Sequence, residues 1–282
     1  MAGMIAFLGC GEMNEAIMAG LLSSGTAARD VVATVRRTDR AAELHERYPG
    51  VAFISTGDNP DGNLAACKAA AVVVLGVKPG ATAELARAVS PALQPDTVVV
   101  SVAAALPLAV LEAALPEGQP VVRGMPNTPL KVGRGVTSLS PGSHCGPEHL
   151  DRAREIFRGS GVVAEVPEEQ IALVSAISGS GPAYAYYLAE AMAAAGADLG
   201  LDPELAELLA RETVAGAGLM LAGPGAGATA LRQAMTGPET ITSRAINVFN
   251  ELGMPGIVAE GARATVRRTA EITALLDGSQ GR

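Results

Sequence analysis

The sequence predicts an α/β chain, with a doubly wound parallel sheet in its N-terminal part and an all-helical C-terminal part. Three features predict this class. Short apolar runs alternate with helix-periodic stretches through the first half. Two glycines spaced one apart, Gly9 and Gly11, interrupt the chain directly after the first apolar run. From about residue 168 the strand-like runs stop and long alanine-rich helical patterns take over. At 282 residues the chain is near the size at which one hydrophobic core stops growing, so two domains are expected. They divide as 1–167, the α/β part, and 168–282, the helical part.

Strand patterns fall at residues 4–8, 31–35, 51–54, 72–76, 98–102 and 121–123, with two more at 136–139 and 162–166. They are continuous apolar runs, as expected for a sheet covered on both faces. Helical patterns fill the gaps at 14–23, 40–47, 63–70, 81–89, 107–115 and 148–158. Strand–helix–strand repetition means parallel strands joined by helical crossovers. The second half reads as helices at 182–196, 203–221, 240–252 and 257–276. Between them, residues 222–228 (AGPGAGA) form a glycine-rich break. No Gly-Lys-Ser/Thr follows, so the break reads as a helix–helix connection rather than a phosphate loop. Long helices rich in small apolar residues pair readily with a second copy, so a homo-oligomer is expected.

The net charge of −8 argues against a nucleic-acid surface, which needs a basic stripe. No early segment has the basic start, apolar stretch and small-residue cleavage site of a secretory signal. The most apolar stretches are short, or carry a charge such as Glu190, so none reads as a membrane span. Cys10, Cys67 and Cys145 are odd in number and lack metal or redox spacing; they are expected to be reduced thiols in a cytoplasmic protein. His45, His144 and His149 do not cluster at any motif, and no metal site is expected.

The stretch Phe7 to Ile17, FLGCGEMNEAI, carries the first functional signal. A glycine turn at the end of a first strand lets the following helix N-terminus hold a pyrophosphate, the Rossmann-type arrangement. A third glycine of that fingerprint would fall at Asn14, so the pattern is incomplete. The second strand ends in Val35-Arg36-Arg37-Thr38, with no acid until Asp39. An acidic residue there would suit the ribose hydroxyls of NAD; two arginines and a hydroxyl suit the 2′-phosphate of NADP. NADPH is therefore expected over NADH.

Three later segments are unusual for plain structure. Gly76–Pro79 (GVKP) ends the fourth strand and carries Lys78, one of three lysines in the chain. Residues 123–135 (RGMPNTPLKVGRG) hold two prolines, Asn127 and Thr128. Residues 178–187 (SGSGPAYAYY) bring small residues and hydroxyls to a helix start, with Pro182 at a favoured early position.

Together, in this order, the glycine turn, the V-K-P strand end, the R-x-M-P-N-T-P loop and the S-G-S-G-P-A-Y segment resemble the pyrroline-5-carboxylate reductase family, from about Met4 to Ile272. The resemblance implies an N-terminal Rossmann domain, a C-terminal helical dimerisation domain, and dimers often built into rings. It implies NAD(P)H-dependent reduction of the C=N bond of a cyclic imine, the last step of proline synthesis. Cofactor contacts would fall on Leu8, Gly9, Gly11, Glu12, Met13, Arg36, Arg37, Asn63, Val77, Lys78 and Pro79, with Ala103 and Ala104 flanking the nicotinamide. The substrate would lie near Glu168, Ser178, Gly179, Ser180, Gly181, Ile241 and Thr242, against a partner subunit's helices. Thr242, hydrogen-bonded to the ring nitrogen, and Lys78, at the sheet edge, are the expected catalytic groups.

One departure bears on the substrate. Where the family usually has Gly-Gly in the substrate loop, residues 236–244 read TGPETITSR, with Glu239 and Thr240 at the two positions. Glycine permits unusual backbone angles; a β-branched residue tolerates them poorly. A carboxylate about 4 Å from the substrate's own would repel it by roughly 1 kcal/mol in water and about 4 at a protein-surface dielectric. Glu239 then points to solvent, or the imine differs from pyrroline-5-carboxylate. A third reading is an oligomeric NADP-binding protein without catalysis.

Overall fold

The computed structural model describes residues 3–225, 227–237 and 240–278. The chain forms two compact units, one running to Gly179 and taking in the chain again from Val266, the other Ser180–Thr265.

The first unit is built on one eight-stranded sheet. Its strands are β1 Met4–Leu8, β2 Val31–Val35, β3 Ala52–Ser55, β4 Ala70–Leu75, β5 Val98–Ser101, β6 Val121–Met125, β7 Gly135–Pro141 and β8 Gly161–Glu165. Their order is β3-β2-β1-β4-β5-β6-β7-β8. Successive side chains of a strand point to opposite faces, so a strand covered on both sides feeds two cores. Ile5 and Phe7 of β1 pack on one face with Ile17, Met18 and Leu21 of α1 (Glu12–Ser23), Leu44 of α2 (Thr38–Arg47) and Ile156 of α6 (Pro147–Ile156). Ala6 and Leu8 pack on the other face with α3 (Gly62–Cys67), α4 (Pro79–Val89) and α5 (Leu108–Glu112). This is the doubly wound arrangement.

The first six strands run parallel, as expected. β7 pairs antiparallel with β6, and β8 is parallel to β7. A parallel return needs a crossover of a dozen residues or more, usually a helix. Only residues 126–134, with a single 3₁₀ stretch at Thr128–Val132, separate β6 from β7, so the chain turns back instead. The helix expected at 63–70 stops at Cys67 because Ala70 already opens β4.

After β8 come a 3₁₀ turn, Glu168–Gln170, the short α7 (Ile171–Val174) and a π-helical turn, Ser175–Gly179. All pack with the sheet unit, as does the chain from Val266. There Leu276 joins the core beside β4 and Thr273 Oγ1 donates to the Ala105 carbonyl at 3.0 Å.

The second unit is helical: α8 Gly181–Asp198, α9 Pro203–Leu221, α10 Ala228–Met235, α11 Ile241–Glu251 and the first part of α12, Met254–Gly278. Asp202 caps α9 by accepting from the Glu204 and Leu205 N–H groups. α8 and α9 pack closely because the contact is built of small residues; a Cβ added at Gly196 would lie 3.1 Å from Ala206 Cβ. α10 was not expected, since two turns of helix directly after a glycine-rich break give too short a periodic signal. Large apolar side chains such as Tyr187, Leu209, Leu219 and Met220 stand exposed on α8 and α9. Among the described residues no helix is long and apolar enough to cross a membrane.

Candidate active site

Strand order places the site. From β1 the chain winds outward through β2 and β3, then returns to add β4 and β5 on the other side of β1. A crevice opens at such a reversal, outside the carboxyl ends of the strands. Gly9–Gly11, Arg36–Thr38, Val77–Pro79 and Ala103–Ala104 directly follow β1, β2, β4 and β5, four adjacent strands.

The turn after β1 is tightly specified. Gly9 has φ +72°, and a Cβ there would stand 2.5 Å from Val77 Cγ1. Its N–H donates to Thr34 Oγ1 at 3.1 Å, and the Cys10 N–H donates to the Thr34 carbonyl at 2.7 Å, tying the turn to β2. Gly11, the N-cap of α1, has open space where a Cβ would be, so a ligand can approach its backbone closely. Leu8 points into the core and Met13 packs against it, so these two offer backbone rather than side chain. Burial, with Glu15 nearby, pushes the Cys10 thiol up to about 12, so it stays neutral. Glu12 is exposed and accepts from Lys131 Nζ at 2.9 Å, which holds its carboxyl below the usual range.

Asn14 takes the third glycine's place and is fully buried. Its Nδ2 donates to the Leu8 carbonyl at 3.2 Å, with the Gly9 and Val74 carbonyls at 3.5 Å. The amide thus bridges β1 and β4 where the strand order reverses. Gly76 makes room for it, because a Cβ there would meet Asn14 Cγ at 2.2 Å.

A cavity of about 350 Å³ at this edge is lined by Gly9, Val35, Arg36, Thr56, Asn63 and Val77, among others. It gathers four of the expected cofactor residues. Arg36 is exposed and has no ion-pair partner among the described residues, whereas Arg37 pairs with Asp39 at 3.2 Å. Asn63 Oδ1 is buried without a hydrogen-bond partner, an acceptor left open beside this cavity. An orphaned acceptor, a free guanidinium and an unobstructed glycine backbone fit an adenine nucleotide. A larger cavity, about 620 Å³, lies along α1 and the 128–132 turn; of the expected cofactor residues it takes in only Glu12.

Further along the edge, Lys78 is the exposed N-cap of α4, and its side chain has no partner among the described residues. Ala103 is buried and Ala104 exposed. Ala105 has φ +60°, the one non-glycine residue with positive φ among the described residues. The left-handed region costs an L-residue about 1 kcal/mol, so this loop is held rather than relaxed.

The expected substrate residues divide between the units. In the first, Glu168 Oε1 accepts from Arg123 Nη1 and from the Leu108 N–H, both at 2.7 Å. Asn127 Nδ2 donates to the Ser178 carbonyl at 2.9 Å, and its Oδ1 accepts from the Val136 N–H at 2.8 Å. The π-helical turn carrying Ser178 and Gly179 is thereby clamped to β7. In the second unit, Ser180 is the N-cap of α8 but makes no side-chain capping bond. Gly181 follows with open space at its Cβ position. Thr240, not Thr242, caps α11: Thr240 Oγ1 accepts from the Ser243 N–H at 3.2 Å. Thr240 sits at φ −72°, ψ 152°, ordinary extended backbone, so its β-branch is unstrained. Ile241 and Thr242 are exposed in the first turn of α11. Glu239 lies outside the described residues.

A doubly wound sheet whose carboxyl edge gathers the glycine turn, Arg36, Asn63 and Lys78, in a chain that goes on to a helical unit, defines a nicotinamide-dependent oxidoreductase of the Rossmann type. Comparison with known proteins narrows this. Residues 168–272 match the family model "Pyrroline-5-carboxylate reductase dimerisation", and residues 4–105 match "NADP oxidoreductase coenzyme F420-dependent". The pyrroline-5-carboxylate reductase of Pseudomonas aeruginosa is 36% identical over 269 residues, covering 95% of this chain and 96% of that protein. That of Mycobacterium tuberculosis is 40% identical over 223 residues, covering 77% and 73%. The structure of the Coxiella burnetii pyrroline-5-carboxylate reductase superposes with a TM-score of 0.89 at 31% identity, covering 97% of this chain and 99% of that one. The chain belongs to the pyrroline-5-carboxylate reductase family, NAD(P)H-dependent oxidoreductases acting on CH–NH bonds.

Proposed function

We propose that the protein reduces 1-pyrroline-5-carboxylate to L-proline with NADPH, as a homodimer or ring of dimers in the cytoplasm. The observation that carries the cofactor choice is Arg36, whose guanidinium has no ion-pair partner among the described residues and lines the same cavity as Gly9 and Asn63, whose Oδ1 likewise has no partner among them. Its planar fork matches a ribose 2′-phosphate.

Reduced nicotinamide, when bound, would supply a hydride to the C=N carbon of the imine, the carbon that becomes C5 of proline. The chain's own residues bind, orient and hold the proton on the ring nitrogen. The Gly9–Gly11 backbone and the α1 N-terminus take the pyrophosphate, Asn63 and Arg36 the adenosine side, and Ala103 and Ala104 flank the nicotinamide. The substrate carboxylate is held by N–H groups at Ser178–Gly181. Thr242 Oγ1 accepts from the N–H of the ring nitrogen, favouring the protonated imine; that proton, taken from solution, stays on nitrogen as the C=N bond becomes CH–NH. Exposure of Thr242 and its freedom from the capping role, which Thr240 fills, support this assignment. Lys78, exposed and without a side-chain partner among the described residues, adds a cation at the edge where the anionic reactants meet. We propose residue 168 as the start of the dimerisation module, supported by the exposed apolar side chains of α8 and α9. The three cysteines are free thiols, which supports a reducing compartment.

A second reading, a different cyclic imine, is favoured by Glu239-Thr240 in place of the family's glycines. The purified protein, mixed with NADPH and a panel of cyclic imines, decides by loss of reduced-cofactor absorbance. Turnover of pyrroline-5-carboxylate supports the first reading, and turnover only of larger or uncharged imines the second. Cofactor binding without turnover of any imine refutes both and leaves an NADP-binding oligomer.

A further inference from the structure

The loop after β3 is laid along the end of β2, where the cofactor's adenosine ribose is expected. The Thr56 N–H donates to the Val35 carbonyl at 2.8 Å and the Gly57 N–H to the Arg36 carbonyl at 3.0 Å. This continues the ladder one step beyond the paired strands. Gly57 makes the approach possible: a Cβ there would stand 2.7 Å from the Arg36 carbonyl oxygen. The Asp58 N–H is held by Ser55 Oγ at 3.4 Å and the Asn59 N–H by the Ser55 carbonyl at 2.9 Å. So fixed, Asp58 brings its carboxylate onto the Thr38 hydroxyl, which donates to Oδ2 at 2.5 Å.

Arg36, Arg37 and Thr38 are the groups at the end of β2 suited to a 2′-phosphate. In the structure the Thr38 hydroxyl is donated to Asp58, Arg37 is paired with Asp39, and Arg36 has no ion-pair partner among the described residues. A carboxylate therefore stands beside the groups expected to receive a dianion. We propose that Asp58 is a cofactor-specificity residue, one that weakens binding of the 2′-phosphate of NADP(H) and leaves the ribose 2′-hydroxyl of NAD(H) unopposed. This rests on the reading of the cavity as the adenosine site. NADPH binding then requires Thr38 to exchange Asp58 for a phosphate oxygen, with the carboxylate turning to solvent. The protein keeps a smaller preference for NADPH than its two arginines alone would give.

The test is equilibrium binding of NADPH and NADH, by calorimetry, to the wild-type chain and to Asp58→Asn, Thr38→Ala, their combination, and Arg36→Ala. Asp58 is exposed, so the isosteric change leaves the fold intact. Exposed charge interactions are modest, so Asp58→Asn is expected to raise the NADPH-to-NADH affinity ratio about three- to fivefold. The gain shrinks as salt screens it. Thr38→Ala is expected to cost more NADPH affinity in the Asp58→Asn background than alone, because the hydroxyl is then free to serve the phosphate. An unchanged or lowered ratio in Asp58→Asn, with Arg36→Ala still weakening NADPH, overturns the assignment to Asp58 and leaves the cofactor reading standing. Failure of the wild-type chain to bind either nucleotide overturns both.

Discussion

Replacing Glu168 by alanine tests whether this carboxylate serves the fold or the substrate. The Arg123 side chain is 8% exposed, and its Nη1 lies 2.7 Å from Glu168 Oε1. The same oxygen accepts from the N–H of Leu108, the first residue of α5. Removing one partner of a buried pair costs about 3–5 kcal/mol because it strands the other charge. Glu168 is 33% exposed, so water can reach the vacated position and the lower end applies. Losing the capping acceptor at α5 adds roughly 1 kcal/mol in isolation, though the two losses share one oxygen and do not add. A net cost near 3 kcal/mol is expected, a fall in Tm of roughly 6–12 °C for a chain of this size. Glu168→Gln keeps a neutral acceptor and should cost about 1 kcal/mol. Arg123→Met combined with Glu168→Ala should recover much of the loss, since no charge is then stranded. Thermal unfolding followed by circular dichroism reads all of these, with steady-state kinetics alongside. An unchanged Tm in Glu168→Ala, together with a raised KM for the imine, would refute the structural role and return Glu168 to the substrate site.

Three further outcomes are expected. Arg36→Ala should weaken NADPH several-fold more than NADH, while Arg37→Ala should do less because Arg37 is paired with Asp39; equal effects on both nucleotides would sink the 2′-phosphate assignment. Gly76→Ala should destabilise by about 2 kcal/mol in urea denaturation, because the new methyl displaces the buried Asn14 amide, and Asn14→Gly in the same chain should relieve it. Burial pushes the Cys10 and Cys67 thiols up to about 12, so both should resist iodoacetamide in the folded protein at pH 8. The sign of the pH effect follows from the raised values: the thiols ionise near 9 when unfolded but about 12 when folded, so stability is intact below 9 and falls as pH rises from there towards 12.

Much of this architecture is legible locally. A strand buried on both faces must be apolar throughout, and so β1 and β2 lie where their sequence runs end. α8 and α9 of the second unit have the length that periodicity needs, and the two-turn α10 does not. What escaped reading depends on partners distant in sequence. The reversal at β7 follows from a connection too short to cross over, and the π-helical turn at Ser175–Gly179 from its clamp by Asn127. Asn14 reads as a defect in the glycine fingerprint; only beside Gly76 does it become a bridge between two strands. Arg36 and Arg37 look equivalent in the sequence, and Asp39, which pairs with Arg37, separates them. Glu168 matched a family position, but its contacts to Arg123 and Leu108 exist only in the folded sheet.

The most direct test supplies NADPH deuterated at the transferable position of the nicotinamide, with pyrroline-5-carboxylate, and examines the product by mass spectrometry and NMR. Proline carrying one deuterium at C5 is the expected result, with the label absent when Thr242→Val abolishes turnover. Folded protein that binds NADPH yet forms no proline, or proline without label at C5, would contradict reduction of this imine at the edge of the sheet.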